Sequence, residues 1–133
     1  MSEALPIHDL FIRQIPAQDE LGIRRWIALR DRDHLLRRFG QAEVVQVSPE
    51  ALPDLQVRSV ADEVWALIEG QAEFVWRDQR PESPTHDAEY RAKCTQPTLL
   101  LVPFGVAFGF QAIGGQALML RLSSHSEGAN DQD

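Results

Sequence analysis

The chain carries a single cysteine, Cys94, in 133 residues. One cysteine excludes an intrachain disulfide and a cysteine-based metal cluster. No catalytic motif surrounds it, so Cys94 reads as a semi-buried strand residue. Positive charge is scarce: 13 Lys and Arg against 20 Asp and Glu give a formal net charge of −7. That argues against a nucleic-acid partner, because a phosphate backbone calls for a basic surface. No apolar run reaches the roughly 18 residues of a membrane span, and residues 1–10 lack the basic start and apolar centre of a signal peptide. The expectation is a cytoplasmic protein with no membrane partner. Histidine is sparse as well. His8, His34, His86 and His125 are the four, and none falls between 34 and 86. Each reads as a solvated surface residue. No Ser-His-Asp order and no phosphate-cradling glycine loop occurs.

Helical periodicity is nearly absent. Only residues 31–39 suit a helix. Asp31 or Asp33 can cap it, Leu35, Leu36 and Phe39 form an apolar face, and Gly40 ends it. The rest is β in character. Short strands are expected at residues 10–15 (stopped by Pro16), 23–29, 42–47, 55–60, 64–68, 72–76 and 90–94, with a turn at 17–22. Residues 78–87 are polar, hold Pro81 and Pro84, and read as a surface loop. Residues 98–122 are the densest stretch: strand, turn at Pro103 and Gly105, strand, hairpin at Gly114-Gly115, strand. Many short strands at regular spacing predict a sandwich or a closed barrel, which removes exposed edges. The domain spans residues 10–124, with residues 1–9 and 125–133 as flexible arms.

The spacing Pro103-x-Gly105-x-x-Phe108 resembles the second barrel motif of a cupin, with Phe108 where cupins usually carry His. Glu63 and Gly70 keep the Glu-to-Gly spacing of the first motif. The resemblance implies an all-β, double-stranded β-helix (jelly-roll) cupin barrel with one short helix. It places the four metal-ligand positions at Gln56, Arg58, Glu63 and Phe108. Arg58 is a permanent cation and Phe108 has no donor atom. No metal and no other cofactor is expected. An Arg58–Glu63 ion pair in the barrel mouth is expected instead, either satisfying buried charge or presenting Arg58 to an anionic ligand.

A narrower resemblance covers residues 10–124. Asp78, Arg80, Ser83 and Thr85 match the Asp-x-Arg-x-x-Ser-x-Thr of the RmlC-like dTDP-4-dehydrorhamnose 3,5-epimerase family. Residues 102–110 are similar to its Val/Ile-Pro-x-Gly-x-Ala-His-Gly-Phe. Asp19-Glu20-Leu21-Gly22 is similar to its Asp-Glu-Arg-Gly turn, and Val45-Gln46 to the start of its Val-Gln-Asp-Asn strand. The departures fall on chemistry. The family's base His has no counterpart here, its acid Tyr aligns with Leu120, a substrate-binding Arg with Leu21, and a Lys with Glu63. Epimerisation beside a ketone needs a base to take the α-proton and an acid to return one. The resemblance therefore implies a fold without those groups at their family positions.

The candidate ligand-binding set is Gln46, Gln56, Arg58, Glu63, Trp65, Phe74, Trp76 and Phe108. Aromatic walls with a few polar groups suit a small molecule, and aromatic faces stack on sugars. The leading expectation is a metal-free, non-catalytic RmlC-like cupin that binds a small molecule such as a carbohydrate or sugar nucleotide. One alternative is a divergent sugar-nucleotide epimerase or isomerase with relocated residues and Glu63 as base. Another is a structural or interaction module whose barrel is filled by its own side chains. The resemblance also implies a homodimer.

Overall fold

The computed structural model describes residues 5–126. These residues form ten strands: β1 (Phe11–Gln14), β2 (Ala17–Glu20), β3 (Ile23–Trp26), β4 (Gln41–Val47), β5 (Glu63–Glu69), β6 (Ala72–Asp78), β7 (Glu89–Cys94), β8 (Thr98–Val102), β9 (Val106–Ala112) and β10 (Ala117–Ser123). A five-stranded sheet has the order β1-β8-β5-β10-β4, and a three-stranded sheet the order β7-β6-β9. All pairs are antiparallel. This is the all-β barrel expected from the sequence. β2 and β3 pair only with each other, joined by Leu21-Gly22. Both turn residues have positive φ, 53° and 79°, as a two-residue hairpin of matching twist requires.

The main core lies between the two sheets. Trp65 and Leu67 from β5, Leu100 and Val102 from β8, and Met119 from β10 meet Ala72, Phe74, Trp76, Phe108 and Ala112 from the smaller sheet. A second cluster covers the opposite face of the large sheet. There Val64, Ala66 and Leu99 pack with Ile15, Trp26, Leu29, Leu35, Leu36, Leu120 and Leu122. β5 is therefore buried on both faces for most of its length, which is why it reads as a continuous apolar run rather than an alternation.

Five expectations need correction. Residues 31–39 are not a helix: a single 3₁₀ turn covers Asp31–Asp33, and His34 turns left-handed at φ 54°. The second large-sheet cluster draws Leu35 and Leu36 down individually, and tertiary burial overrides a local pattern of one or two turns. Residues 55–60 do not form a strand; an isolated bridge joins Gln56 to Phe108. Residues 17–20 are strand rather than turn. Some residues assigned to the arms pack on the domain. Ile7 is buried, and Arg80 and Thr85 bond the His8 backbone. Ser124 and His125 are buried too, so His125 is not a surface histidine; its Nδ1 meets Ser124 Oγ at 2.8 Å. Residues 1–4 and 127–133 of those arms lie outside the described residues.

The polar loop after β6 is fixed by Asp78, whose side chain is fully buried. It accepts hydrogen bonds from Arg80 Nε at 2.9 Å, Ser83 Oγ at 2.6 Å and Thr85 Oγ1 at 2.7 Å. The Asp-x-Arg-x-x-Ser-x-Thr pattern is thus one closed hydrogen-bonded cluster that holds a loop.

Candidate functional site

A pocket of about 190 Å³ opens at one end of the barrel. Its strand-borne wall comes from Glu43 and Val45 of β4, Glu63 and Trp65 of β5, Phe108 and Phe110 of β9, and Arg121 of β10. Residues 53–58 run across the mouth and add Pro53, Asp54, Gln56 and Arg58. That segment is tied down by Gln56, whose N–H and C=O both bond Phe108 at 2.9 Å, and by Gly105 N–H donating to Arg58 O at 2.7 Å. It lies close against β9 because residue 109 is glycine. A Cβ there would stand 2.6 Å from Leu55 Cδ2.

Strand register aligns the charged groups. On β10, Arg121 sits opposite Glu43 of β4 on one side and Trp65 of β5 on the other. Its guanidinium donates to Glu43 and to Glu63 Oε2. Arg58 Nε donates to the same Glu63 oxygen at 2.9 Å, and Trp65 Nε1 to Oε1 at 2.9 Å. The result is a chain, Glu43–Arg121–Glu63–Arg58, along the pocket wall. Glu63 and Arg121 are buried at 4% and 3% exposure, so neither charge is carried by solvent. Burial pushes the Glu63 carboxyl up. The hydrogen bond and charge of Arg121, the Trp65 donor and the Arg58 charge outweigh it and hold the group below the ordinary carboxylate range.

Of the residues singled out from sequence, Gln56, Arg58, Glu63, Trp65 and Phe108 meet in this pocket. The anticipated Arg58–Glu63 ion pair is present. Gln46 is not there: β4 alternates, so Glu43 and Val45 face in while Gln46 is exposed and bonds Gln116. Phe74 and Trp76 lie below the pocket as fully buried core. Phe108 roofs that core, with ring centroids 5.6 Å from Trp65, 5.8 Å from Phe74 and 5.5 Å from Trp76. Leu120, assigned the acid position by resemblance, packs on the outer face of the large sheet, and its neighbour Arg121 takes the pocket position. Sequence reasoning missed Arg121 and Glu43. The available signal was an arginine inside an otherwise apolar strand, Leu-Met-Leu-Arg-Leu, since such a charge needs a buried partner.

The metal of the cupin resemblance does not fit this donor set. A divalent transition metal takes imidazole, carboxylate or thiolate donors. Here Glu63 is the single carboxylate among the four positions, it already accepts two guanidiniums, and Phe108 offers no donor. Among the described residues, no three His, Cys, Asp or Glu side chains gather as a metal site. No helix of the described residues is long and apolar enough to cross a membrane.

No family model matches the chain. The spore coat polysaccharide biosynthesis protein SpsL of Bacillus subtilis is 33% identical over 95 residues, covering 69% of this chain and 62% of that protein's length. A dTDP sugar isomerase from Desulfovibrio desulfuricans superposes with a TM-score of 0.88 at 20% identity, over 99% of this chain and 87% of that one. A dTDP-4-dehydrorhamnose 3,5-epimerase from Elizabethkingia anophelis gives 0.79 at 18% identity, over 92% and 73%. RmlC from Streptococcus suis, solved with dTDP-D-xylose, gives 0.78 at 18% identity, over 92% and 68%.

Proposed function

The chain has the RmlC-like cupin fold, and from that premise we propose that it binds a nucleoside diphosphate sugar with the sugar ring in the barrel pocket. The observation that carries this reading is the Glu43–Arg121–Glu63–Arg58 chain set against Trp65, Phe108 and Phe110. Aromatic faces pack against the apolar face of a sugar, and charged side chains bond its hydroxyls. Arg58, at the mouth and about a quarter exposed, faces the place where an attached diphosphate would leave the pocket. The likeness to SpsL and to proteins named for dTDP-sugars supports the same ligand class.

A second reading, epimerisation or isomerisation, is favoured by Glu43. Glu63 is a poor base, because both oxygens accept hydrogen bonds and its proton affinity is held down. Glu43 is about a third exposed, lines the pocket and pairs with Arg121. On a keto-sugar it would take the α-proton, the electron pair passing to the carbonyl oxygen as an enolate beside the Arg121 guanidinium. Return of a proton from water on the other face completes the inversion, and Glu43 releases the proton it took to solvent.

Calorimetric titration with dTDP, dTDP-glucose and dTDP-xylose tests the first reading. Saturable binding that weakens in Arg58→Met supports it; no heat with any of them at millimolar concentration refutes it. Incubation of a dTDP-4-keto-sugar in D₂O tests the second. Deuterium should enter the sugar with the native chain and not with Glu43→Gln; binding without exchange leaves the chain a binding protein. A cytoplasmic homodimer completes this reading, and light scattering on the eluted protein would show twice the chain mass.

A further inference from the structure

Six of the 13 basic residues, Arg24, Arg25, Arg30, Arg32, Arg37 and Arg38, fall between residues 24 and 38, which hold only two acids. This concentration stands out in a chain of net charge −7. The segment packs on the outer face of the large sheet, opposite the barrel pocket. Strand β10 separates the two sides: Arg121 points into the barrel pocket, and Leu122 lines a second cavity of about 250 Å³ on the outer face.

The second cavity has an apolar floor and a cationic rim. Leu29, Leu35, Leu36 and Leu122 form the floor, and Arg30, His34 and Arg38 stand around it with one acid, Asp31. The abandoned helix creates this shape. His34 leaves the 3₁₀ turn in the left-handed region, and the chain then opens around the leucines instead of coiling over them. Phe39 remains 67% exposed at the same cavity. Leaving such a ring in water forgoes the gain from burying its apolar surface. Arg24 and Arg37 are engaged by Asp19 and Asp62, whereas Arg38 has no carboxylate partner among the described residues.

We propose that this outer cavity binds an apolar molecule carrying a phosphate group, its apolar part on the leucine floor against Phe39 and its phosphate between Arg30, Arg38 and His34. Guanidinium groups at the rim match phosphate oxygens as paired donors. The site is separate from the sugar pocket, so its occupancy does not depend on the function proposed above.

Decyl phosphate, kept below its micelle concentration, is the probe, with decanol and inorganic phosphate as its two halves. Titration followed by calorimetry should show saturable binding of decyl phosphate and at least about tenfold weaker binding of either half, as expected when both parts contribute. Arg38→Glu and Phe39→Ala change exposed side chains, so both should melt with the native chain while binding at least about tenfold more weakly. Arg58→Met, in the other pocket, should leave decyl phosphate binding unchanged. Inorganic phosphate or decanol binding as tightly as the whole probe would overturn the proposal. So would an unaltered affinity in Arg38→Glu, or binding to anionic vesicles alone with none to the monomeric probe.

Discussion

Replacing Arg121 with Met tests the charged chain most directly. Arg121 is 3% exposed and joins Glu43 to Glu63. The substitution keeps most of the apolar volume and removes two charge-assisted hydrogen bonds, each of order 1.5–3 kcal/mol. Removing one partner from a buried ion pair costs about 3–5 kcal/mol when the other is left bare. Glu63 is not left bare, because Arg58 and Trp65 still donate to it. Glu43 can turn to solvent, and the desolvation cost of Arg121 itself is relieved. The expected loss therefore lies near the bottom of that range, about 3 kcal/mol, or a fall in melting temperature on the order of 10 °C for a chain of this size. The pH dependence adds a second signature. In the native chain Glu63 titrates below its ordinary value, so its ionised form contributes stability that is lost as pH falls through the folded pKa. Without Arg121 the same group titrates higher, and its protonated form is better tolerated. The gap between native and variant should narrow from pH 7 toward pH 4, measured by urea denaturation. A loss under about 1 kcal/mol that does not vary with pH would refute the buried, coupled arrangement.

Phe108→Ala should cost about 3 kcal/mol in chemical denaturation, since the ring is 4% exposed and meets four other aromatic rings, though it borders a cavity. Gly40→Ala should destabilise by about 1–3 kcal/mol, because its Cβ would stand 2.5 Å from the His125 backbone. Gly109→Ala should be milder in the same melts, because the group it meets is the movable end of Leu55. Asp78 is buried; burial raises its pKa, but donors from Arg80, Ser83 and Thr85 outweigh this and hold the carboxyl far below its ordinary 3.8. Its contribution is thus complete above that value and is lost as pH falls below it, and Asp78→Asn should flatten the acid limb of the stability curve. Metal analysis of protein purified without chelator should find well under one transition-metal ion per chain, as the donor set at Gln56, Arg58, Glu63 and Phe108 requires.

The sequence by itself determined most of the strands, the turns of the β8–β9–β10 run and part of the pocket. Alternation and turn residues are local, so β4, β6 and the β8–β9–β10 run could be read directly. The turn at Pro103 has Gly105 at φ 84°, a conformation the sequence announced by placing glycine there. Gln56, Arg58, Glu63 and Phe108 were recognisable through the cupin resemblance, which places them at the barrel's ligand positions, and Trp65 stands two residues from Glu63 on the same face of β5.

Only the tertiary structure decided which face of β10 is inner. Both faces of the large sheet are apolar, one against the barrel core and one against residues 26–36. A strand apolar on both sides does not show whether Leu120 or Arg121 points inward, and a one-residue shift exchanges them. Glu43 was hidden for the same reason, on a strand whose alternation allows either parity. Residues 31–39 carried enough local signal for a helix, yet a segment of two turns gains too little from its own hydrogen bonds to resist the sheet that takes up its leucines. The charged chain, finally, joins residues far apart in sequence, Glu43, Arg58, Glu63 and Arg121, and such a network exists only once strand order and register have brought β4, β5 and β10 side by side.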